Sequence, residues 1–154
     1  MAAPALTTAG GLLAAARQLR PRVAELADQV ERERALVPEL VAAFRSAGFF
    51  HATVPAAIGG VECDPISAAQ VVEEIASGDG SAGWCVMIAQ QNGGFSGFLD
   101  PEHAREIFGN GGILCGTARP IGRAVKRGDG FLVTGRWPFA PGNRKWLLAD
   151  SKSC

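Results

Sequence analysis

The sequence lacks the features that mark several protein classes. Its 15 basic and 15 acidic side chains cancel, so no net charge draws it to nucleic acid or to an anionic membrane surface. The longest uninterrupted apolar stretch, around residues 84–89, is far shorter than the roughly 20 residues of a membrane-spanning helix. The N-terminus has no basic start followed by an apolar run, so no secretory signal is expected. These absences predict a cytoplasmic protein that binds neither nucleic acid nor membrane.

Cysteine and histidine, which often carry chemistry, are sparse. The four cysteines form no CxxC pair and predict free thiols. No set of His, Cys, Asp and Glu has metal-ligand spacing, so no metal site is expected. A nucleophilic pair of Cys63 with His51 can be drawn, but nothing in the sequence orients it. His103, in the first turn of a predicted helix, is expected in solvent. The cysteines stand at positions 63, 85, 115 and 154.

Helix-patterned sequence fills roughly the first 110 residues. Apolar residues recur on one helical face from Leu12 to about Arg34, and Pro21 predicts a kink or a fresh helix start. A second helix is predicted to begin near Pro38 and stop at Gly48. The segment 49–61 is predicted to be non-helical with a β-leaning composition.

Three further helix starts follow local capping signals. Asp64-Pro65 predicts a helix that ends at Gly78, Asp79-Gly80-Ser81 predicts one from Ala82 to about Asn92, and Asp100-Pro101 predicts a short one closed by Gly109. The middle helix is apolar nearly all round, which predicts a place in the middle of a bundle. The first of the three is expected to turn its apolar side chains inward and its two glutamates, Glu73 and Glu74, to solvent. Those apolar residues are Ile66, Ala69, Val72 and Ala76.

After Gly112 the pattern changes to strands. The turn Arg127-Gly128-Asp129-Gly130 predicts a hairpin between two of them. Several strands without closing partners leave open edges. The sequence thus predicts an α+β fold, with a helical bundle over residues 1–111 and the opening strands of an incomplete β-barrel over 112–154. The predicted strands span residues 113–117, 123–126, 131–137 and 146–149.

Five short motifs occur in the order Ala47-Gly48-Phe49-Phe50, Val54-Pro55 with Gly59-Gly60, Asp64-Pro65, Val72-Glu73-Glu74-Ile75-Ala76 and Asp79-Gly80-Ser81-Ala82-Gly83-Trp84. Their order and spacing resemble the N-terminal helical domain of the acyl-CoA dehydrogenase superfamily. In that family a β-barrel domain and a four-helix C-terminal domain follow, flavin lies between those two domains, and the proteins are usually homotetramers. The resemblance implies a flavin-dependent oxidoreductase that is truncated before its C-terminal domain.

The resemblance also implies four flavin-binding residues. Thr117 matches a threonine that meets the pyrimidine edge of the flavin, and Gly122 matches the glycine of the same stretch. Phe139 matches the aromatic residue beside the isoalloxazine, and Pro141 stands where the family has a Ser or Thr that hydrogen-bonds near flavin N5. A flat, largely apolar ring system needs such an aromatic wall and a few aimed donors. Without the resemblance, Phe139 and its neighbour Trp137 are typical of a sheet core.

Departures from the family pattern indicate the branch. Ala118, Arg119 and Arg123 replace the Glu, Pro and Ser of the acyl-CoA branch. Residues 135–140, Gly-Arg-Trp-Pro-Phe-Ala, are similar in sequence to the matching stretch of the two-component flavin monooxygenases, a branch of the same superfamily. Those enzymes hydroxylate aromatic substrates with reduced flavin from a separate reductase. Proline at 141 has neither a hydroxyl nor an N–H, so flavin binding is expected to be weak.

Three functions therefore stay open for this sequence. The first is a monooxygenase that uses FAD or reduced FMN on a small aromatic substrate, with a separate flavin reductase as partner. The second is an acyl-CoA dehydrogenase that oxidises a CH–CH bond. The third is a non-catalytic fragment that acts as a structural or assembly module. No catalytic base is assigned to any residue, and the weak match after Gly142 indicates an altered C-terminal end.

Overall fold

The computed structural model describes residues 8–109, 111–114 and 119–137. They form a helical body followed by a β-hairpin, so the predicted α+β class is confirmed. The predicted strand at 146–149 and most of that at 113–117 lie outside the described residues. The elements are α1 (Ala9–Glu33), α2 (Pro38–Ala47), α3 (Pro65–Ala76), α4 (Gly80–Gly94), α5 (Pro101–Phe108), β1 (Arg123–Arg127) and β2 (Gly130–Thr134).

Helix α1 runs unbroken through Pro21, so the alternative of a fresh helix start there is wrong. Proline removes one backbone hydrogen bond from a helix interior, and here it does so on the exposed side. Ala16 and Val23, on either side of it, are fully buried on the same face. Packing of that face against the bundle holds the two halves of the helix together.

The β-leaning prediction for residues 49–61 is wrong. Two 3-10 turns, Phe49–His51 and Ala56–Ile58, occupy this segment. Phe49 and Phe50 are buried against Phe44 of α2, so their bulk fills the core instead of a sheet surface. The backbone bonds are mostly local, as in the bond from the Ile58 amide to the Pro55 carbonyl at 3.1 Å.

Helix α3 begins as predicted, because the Asp64 side chain accepts hydrogen bonds from the amides of Ile66 and Ser67. Its inward face differs from the prediction. Ile66 is 71% exposed and Ala69 is also exposed, while Val72 and Ala76 are half-buried. The cap fixes where the helix starts, and that start leaves position 66 on the outer side. The residues that α3 buries are Ala68, Val71 and Ile75.

Helix α4 is central, but only one side of it is covered. Trp84 is 54% exposed, so the expectation from its all-round apolar pattern is only half right. The buried side approaches α3 closely: a Cβ on Gly83 would lie 2.7 Å from the Cα of Ala76. Glu74 does not point freely into solvent either, because it pairs with Arg20 at 2.7 Å and Arg17 at 3.8 Å.

Two apolar clusters hold the body together. The larger cluster contains residues from the four helices α1, α2, α3 and α4, together with Ile113. The smaller cluster packs Val54 and Ile58 against α5. The β-hairpin lies outside both, with every residue of its two strands exposed. Within the described ranges no helix is long and apolar enough to cross a membrane.

Candidate functional site

The hairpin forms with the predicted turn. β1 and β2 pair antiparallel, with Arg127 opposite Gly130 across the two-residue turn Gly128-Asp129. Gly128 has φ 61°, a left-handed conformation that glycine adopts without steric cost. This register brings together the two chain segments that flank the hairpin.

Gly122 is the one predicted flavin residue within the described part of the chain. It precedes β1 directly, and its φ is not positive. A Cβ at this position would overlap Cζ2 of the Trp137 indole and lie 3.1 Å from its Cε2. A Cβ on Gly135 would lie 2.6 Å from Cη2 of the same ring. The indole thus lies across two glycines and leaves no room for a side chain on either.

The other three predicted residues, Thr117, Phe139 and Pro141, lie outside the described residues. In sequence, Phe139 and Pro141 follow Trp137 by two and four positions. Trp137 is 38% exposed, so it is not the fully enclosed core residue that its strand pattern indicates. The contact of its ring with the two glycines depends on the register of the hairpin. The local sequence pattern does not determine that register.

A feature that sequence reasoning missed lies just before the hairpin, in residues 111–114, here called the lead-in segment. Three side chains donate hydrogen bonds to its carbonyls. Arg45 Nη1 donates to Gly111 at 2.7 Å, His51 Nε2 to Gly112 at 2.8 Å, and Asn92 Nδ2 to Leu114 at 3.2 Å. Backbone carbonyls carry no side-chain signature, so no sequence signal marks this arrangement.

The comparisons with known proteins identify the family. The acyl-CoA dehydrogenase N-terminal domain matches residues 12–99. This chain belongs to the acyl-CoA dehydrogenase family.

Three relatives of this chain are named as monooxygenases or hydroxylases. Indole-3-acetate monooxygenase of Pseudomonas putida is 32% identical over 149 residues, which are 92% of this chain and 37% of the relative. The flavin-dependent monooxygenase oxygenase subunit HsaA of Mycobacterium tuberculosis is 30% identical over 87% of this chain and 34% of its own length. The oxygenase component of the FADH(2)-dependent resorcinol hydroxylase of Rhizobium sp. is 26% identical over 82% and 34%.

The fold agrees with a solved structure of the family. The crystal structure of the HsaA monooxygenase from M. tuberculosis matches with a TM-score of 0.78 and 31% identity, over 84% of this chain and 35% of that one. The chain therefore spans about a third of the length of the relatives that it matches.

The other residues with candidate chemistry in the described part of this acyl-CoA dehydrogenase family chain are Cys63, His51 and His103. Burial and the nearby Asp64 carboxylate raise the pKa of the Cys63 thiol. The Nε2 atom of His51 already donates a hydrogen bond to the Gly112 carbonyl. Both features oppose a Cys63–His51 nucleophilic pair. His103 is exposed, as predicted. In the part of the chain that the structure covers, no three His, Cys, Asp or Glu residues cluster as metal ligands would.

A surface groove of about 460 Å³ lies elsewhere, between the end of α1 and the start of α4. Trp84 and Cys85 form part of its wall. Burial, and secondarily the charge of Asp79, raises the pKa of the Cys85 thiol to about 11. Gly122, the described residue among those predicted to bind flavin, does not line this groove.

Proposed function

We propose that this chain provides the N-terminal part of the oxygenase component of a two-component flavin monooxygenase. The proposed reaction is hydroxylation of a small aromatic substrate in the cytoplasm, with reduced FMN or FAD delivered by a separate reductase. The observation that carries the proposal is the similarity to indole-3-acetate monooxygenase. It covers 149 residues and so extends beyond residue 99 into the β segment.

We further propose that residues 1–111 and 112–154 are separate domains, and that the second contributes one wall of a flavin site. Thr117 would meet the pyrimidine edge and Phe139 would pack beside the isoalloxazine. The seat of Trp137 on Gly122 and Gly135 supports a positioning role for Gly122, because its missing Cβ admits the indole. Flavin, when bound and reduced, would activate molecular oxygen, which is the source of the oxygen atom that hydroxylation adds to the substrate.

The hairpin surface fits a position inside a larger β-domain. Paired residues of an antiparallel ladder share a face, so Val125 and Leu132 lie on one face, and Phe131 and Val133 on the other. All four are about half exposed or more. A strand pair with apolar side chains on both faces is typical of a sheet covered on both sides. In the complete protein, proposed to be a homotetramer, further strands and the C-terminal domain would cover them.

Flavin binding by the chain itself tests this proposal. Titration of FMN and FAD with the purified chain should raise flavin fluorescence anisotropy to a plateau. An anisotropy that stays flat up to about 1 mM protein would mean a binding free energy weaker than about 4 kcal/mol. That result would contradict the proposed flavin site and favour a structural or assembly module.

The competing dehydrogenase function has a separate test. Ala118 and Arg123 replace the acyl-CoA branch residues, and dehydrogenation needs a base and flavin N5 held together at near-attack distance. We therefore expect no bleaching of bound oxidised flavin when short-, medium- or long-chain acyl-CoA is added anaerobically. Bleaching with any of them would favour the dehydrogenase.

A further inference from the structure

Three side chains from separate parts of the body converge on the lead-in segment. Arg45 belongs to α2, His51 to the first 3-10 turn, and Asn92 to the last turns of α4. They bind three of its four carbonyls at 2.7, 2.8 and 3.2 Å. Carbonyls in irregular backbone have no ladder partner. The bond from Arg45 is exposed, whereas the bonds from His51 and Asn92 are partly buried, where a carbonyl without a partner costs free energy.

The backbone and apolar side chains of the segment are fixed as well. The amides of Gly111 and Gly112 donate to the carbonyls of Phe108 and Ile107 at 3.0 and 3.1 Å. Gly111 has φ 77°, and a Cβ on Gly112 would overlap the Ile107 carbonyl oxygen. This close wrap around the end of α5 therefore requires two glycines.

The next two residues anchor the segment on both sides. Ile113 is 5% exposed within the larger apolar cluster, and Leu114 packs against the smaller one. The His51 ring also meets Phe108 edge-on, with centroids 6.3 Å apart. The segment thus joins the two clusters and has a single defined path over the body.

We propose that Arg45, His51 and Asn92 are positioning residues that hold the lead-in segment, and so fix where the chain leaves the helical body towards the residues proposed to bind flavin. Thr117 follows Leu114 by three residues, so the two residues lie at most about 10 Å apart. An error in the path of the segment would carry over to the flavin edge within that distance. This inference rests on the proposed function.

The test uses two variants of the full chain and two controls. Arg45→Met keeps the aliphatic stem and removes the donors, and Arg45 is exposed, so the fold should tolerate it. Asn92→Asp keeps the shape and sets a carboxylate against the Leu114 carbonyl. Gln91→Glu makes the same amide-to-carboxylate change one residue earlier, at an exposed position of α4. Arg45→Lys retains a cationic donor.

Two readouts are compared: amide hydrogen exchange in residues 111–114, and FMN and FAD affinity by anisotropy. We expect roughly tenfold faster exchange and roughly tenfold weaker flavin binding in Arg45→Met and Asn92→Asp, the scale of one lost hydrogen bond. Gln91→Glu should match the parent, Arg45→Lys should recover most of the affinity, and amides of α1 and α3 should be unchanged.

The failures are distinguishable. Faster exchange with unchanged flavin affinity would overturn the positioning role and leave the proposed function intact. Unchanged exchange would show that these side chains do not hold the lead-in segment in place. An absence of flavin binding in the parent would defeat the proposed function, and the positioning role with it. If Asn92→Asp fails to fold, Arg45→Met decides between these outcomes.

Discussion

At the scale of single residues, two glycines and a tryptophan form the described part of the proposed flavin site. Gly122 matches a family glycine, yet its observed role is steric, because the Trp137 ring fills the space where a Cβ would stand. Gly135 has the same relation to the ring. The site thus depends on a contact between residues 15 positions apart, and the hairpin register creates that contact.

A pH-dependent prediction concerns Cys85. Its pKa of about 11, raised by burial and then by Asp79, leaves roughly one thiol in a thousand ionised at pH 8, against about a quarter for an ordinary cysteine of pKa 8.5. Alkylation of Cys85 by iodoacetamide, followed by site-resolved mass spectrometry, should therefore be slow at pH 8. Its rate should rise about tenfold per pH unit up to pH 10.

The unfolded chain provides the control. In urea, Cys85 should react with the ordinary dependence centred near pH 8.5. Since the folded pKa is the higher one, the unfolded state loses its proton first, and this group lowers stability as pH rises from about 8.5 towards 11. Folded and unfolded rates that coincide at pH 8 would contradict the assigned burial.

At the scale of elements, helix α4 approaches helix α3 closely at Gly83. A Cβ on Gly83 would overlap the Ala76 Cβ and lie 2.9 Å from the Ala76 amide nitrogen. Gly83→Ala should therefore destabilise the chain by about 1–3 kcal/mol through overpacking, despite the gain in helix propensity of about 1 kcal/mol. Chemical denaturation followed by circular dichroism measures the difference.

Gly94, in the last turn of the same helix, is the matched control. Nothing lies within 4 Å of a Cβ built there, so Gly94→Ala should be neutral or slightly stabilising. Equal effects of the two substitutions would show that α3 and α4 are not in close contact.

Helix starts were predictable from the sequence because caps are local. Asp64, Asp79 and Asp100 each accept bonds from amides two or three residues ahead, and these spacings are visible in a short window. The buried face of α3 was not predictable from Ile66, because this residue follows the cap at an outward position. Which side of a helix meets the core depends on its neighbours.

In the candidate site too, local features were predictable from the sequence and long-range contacts were not. The turn at Gly128-Asp129 and the two strands were predictable from turn residues and alternation. The lead-in segment was not, because its acceptors are backbone carbonyls and its donors come from residues 22 to 66 positions away. Long-range polar contacts of this kind leave no periodic pattern.

At the scale of the whole molecule, zero net charge conceals a segregation of charge. Residues 8–109 carry 7 basic and 13 acidic side chains, whereas residues 119–137 carry 5 basic and 1 acidic. The basic hairpin also exposes large apolar side chains, among them Phe131 at 69% and Leu132 at 52%. Such a surface favours association with another molecule.

We therefore expect the chain to self-associate at tens of micromolar, the usual range for exposed strand edges. Leu132→Lys should reduce the association, because it adds charge to an apolar face of the hairpin. Multi-angle light scattering measures the effect. Ile66→Lys, at a more exposed apolar position on α3, should change the association little. A monodisperse monomer in the parent would contradict this prediction.

The central claim is that this chain contributes one wall of a flavin site in a monooxygenase scaffold. Isothermal titration of the parent and Pro141→Ser with FMN and FAD tests it most directly, because the serine would restore the donor near N5. A hydrogen bond to a buried partner is worth about 1–3 kcal/mol, so Pro141→Ser should bind flavin roughly ten to a hundred times more tightly than the parent. Equal affinities would show that residue 141 does not face N5, and no heat of binding from either protein would contradict a flavin site in this chain.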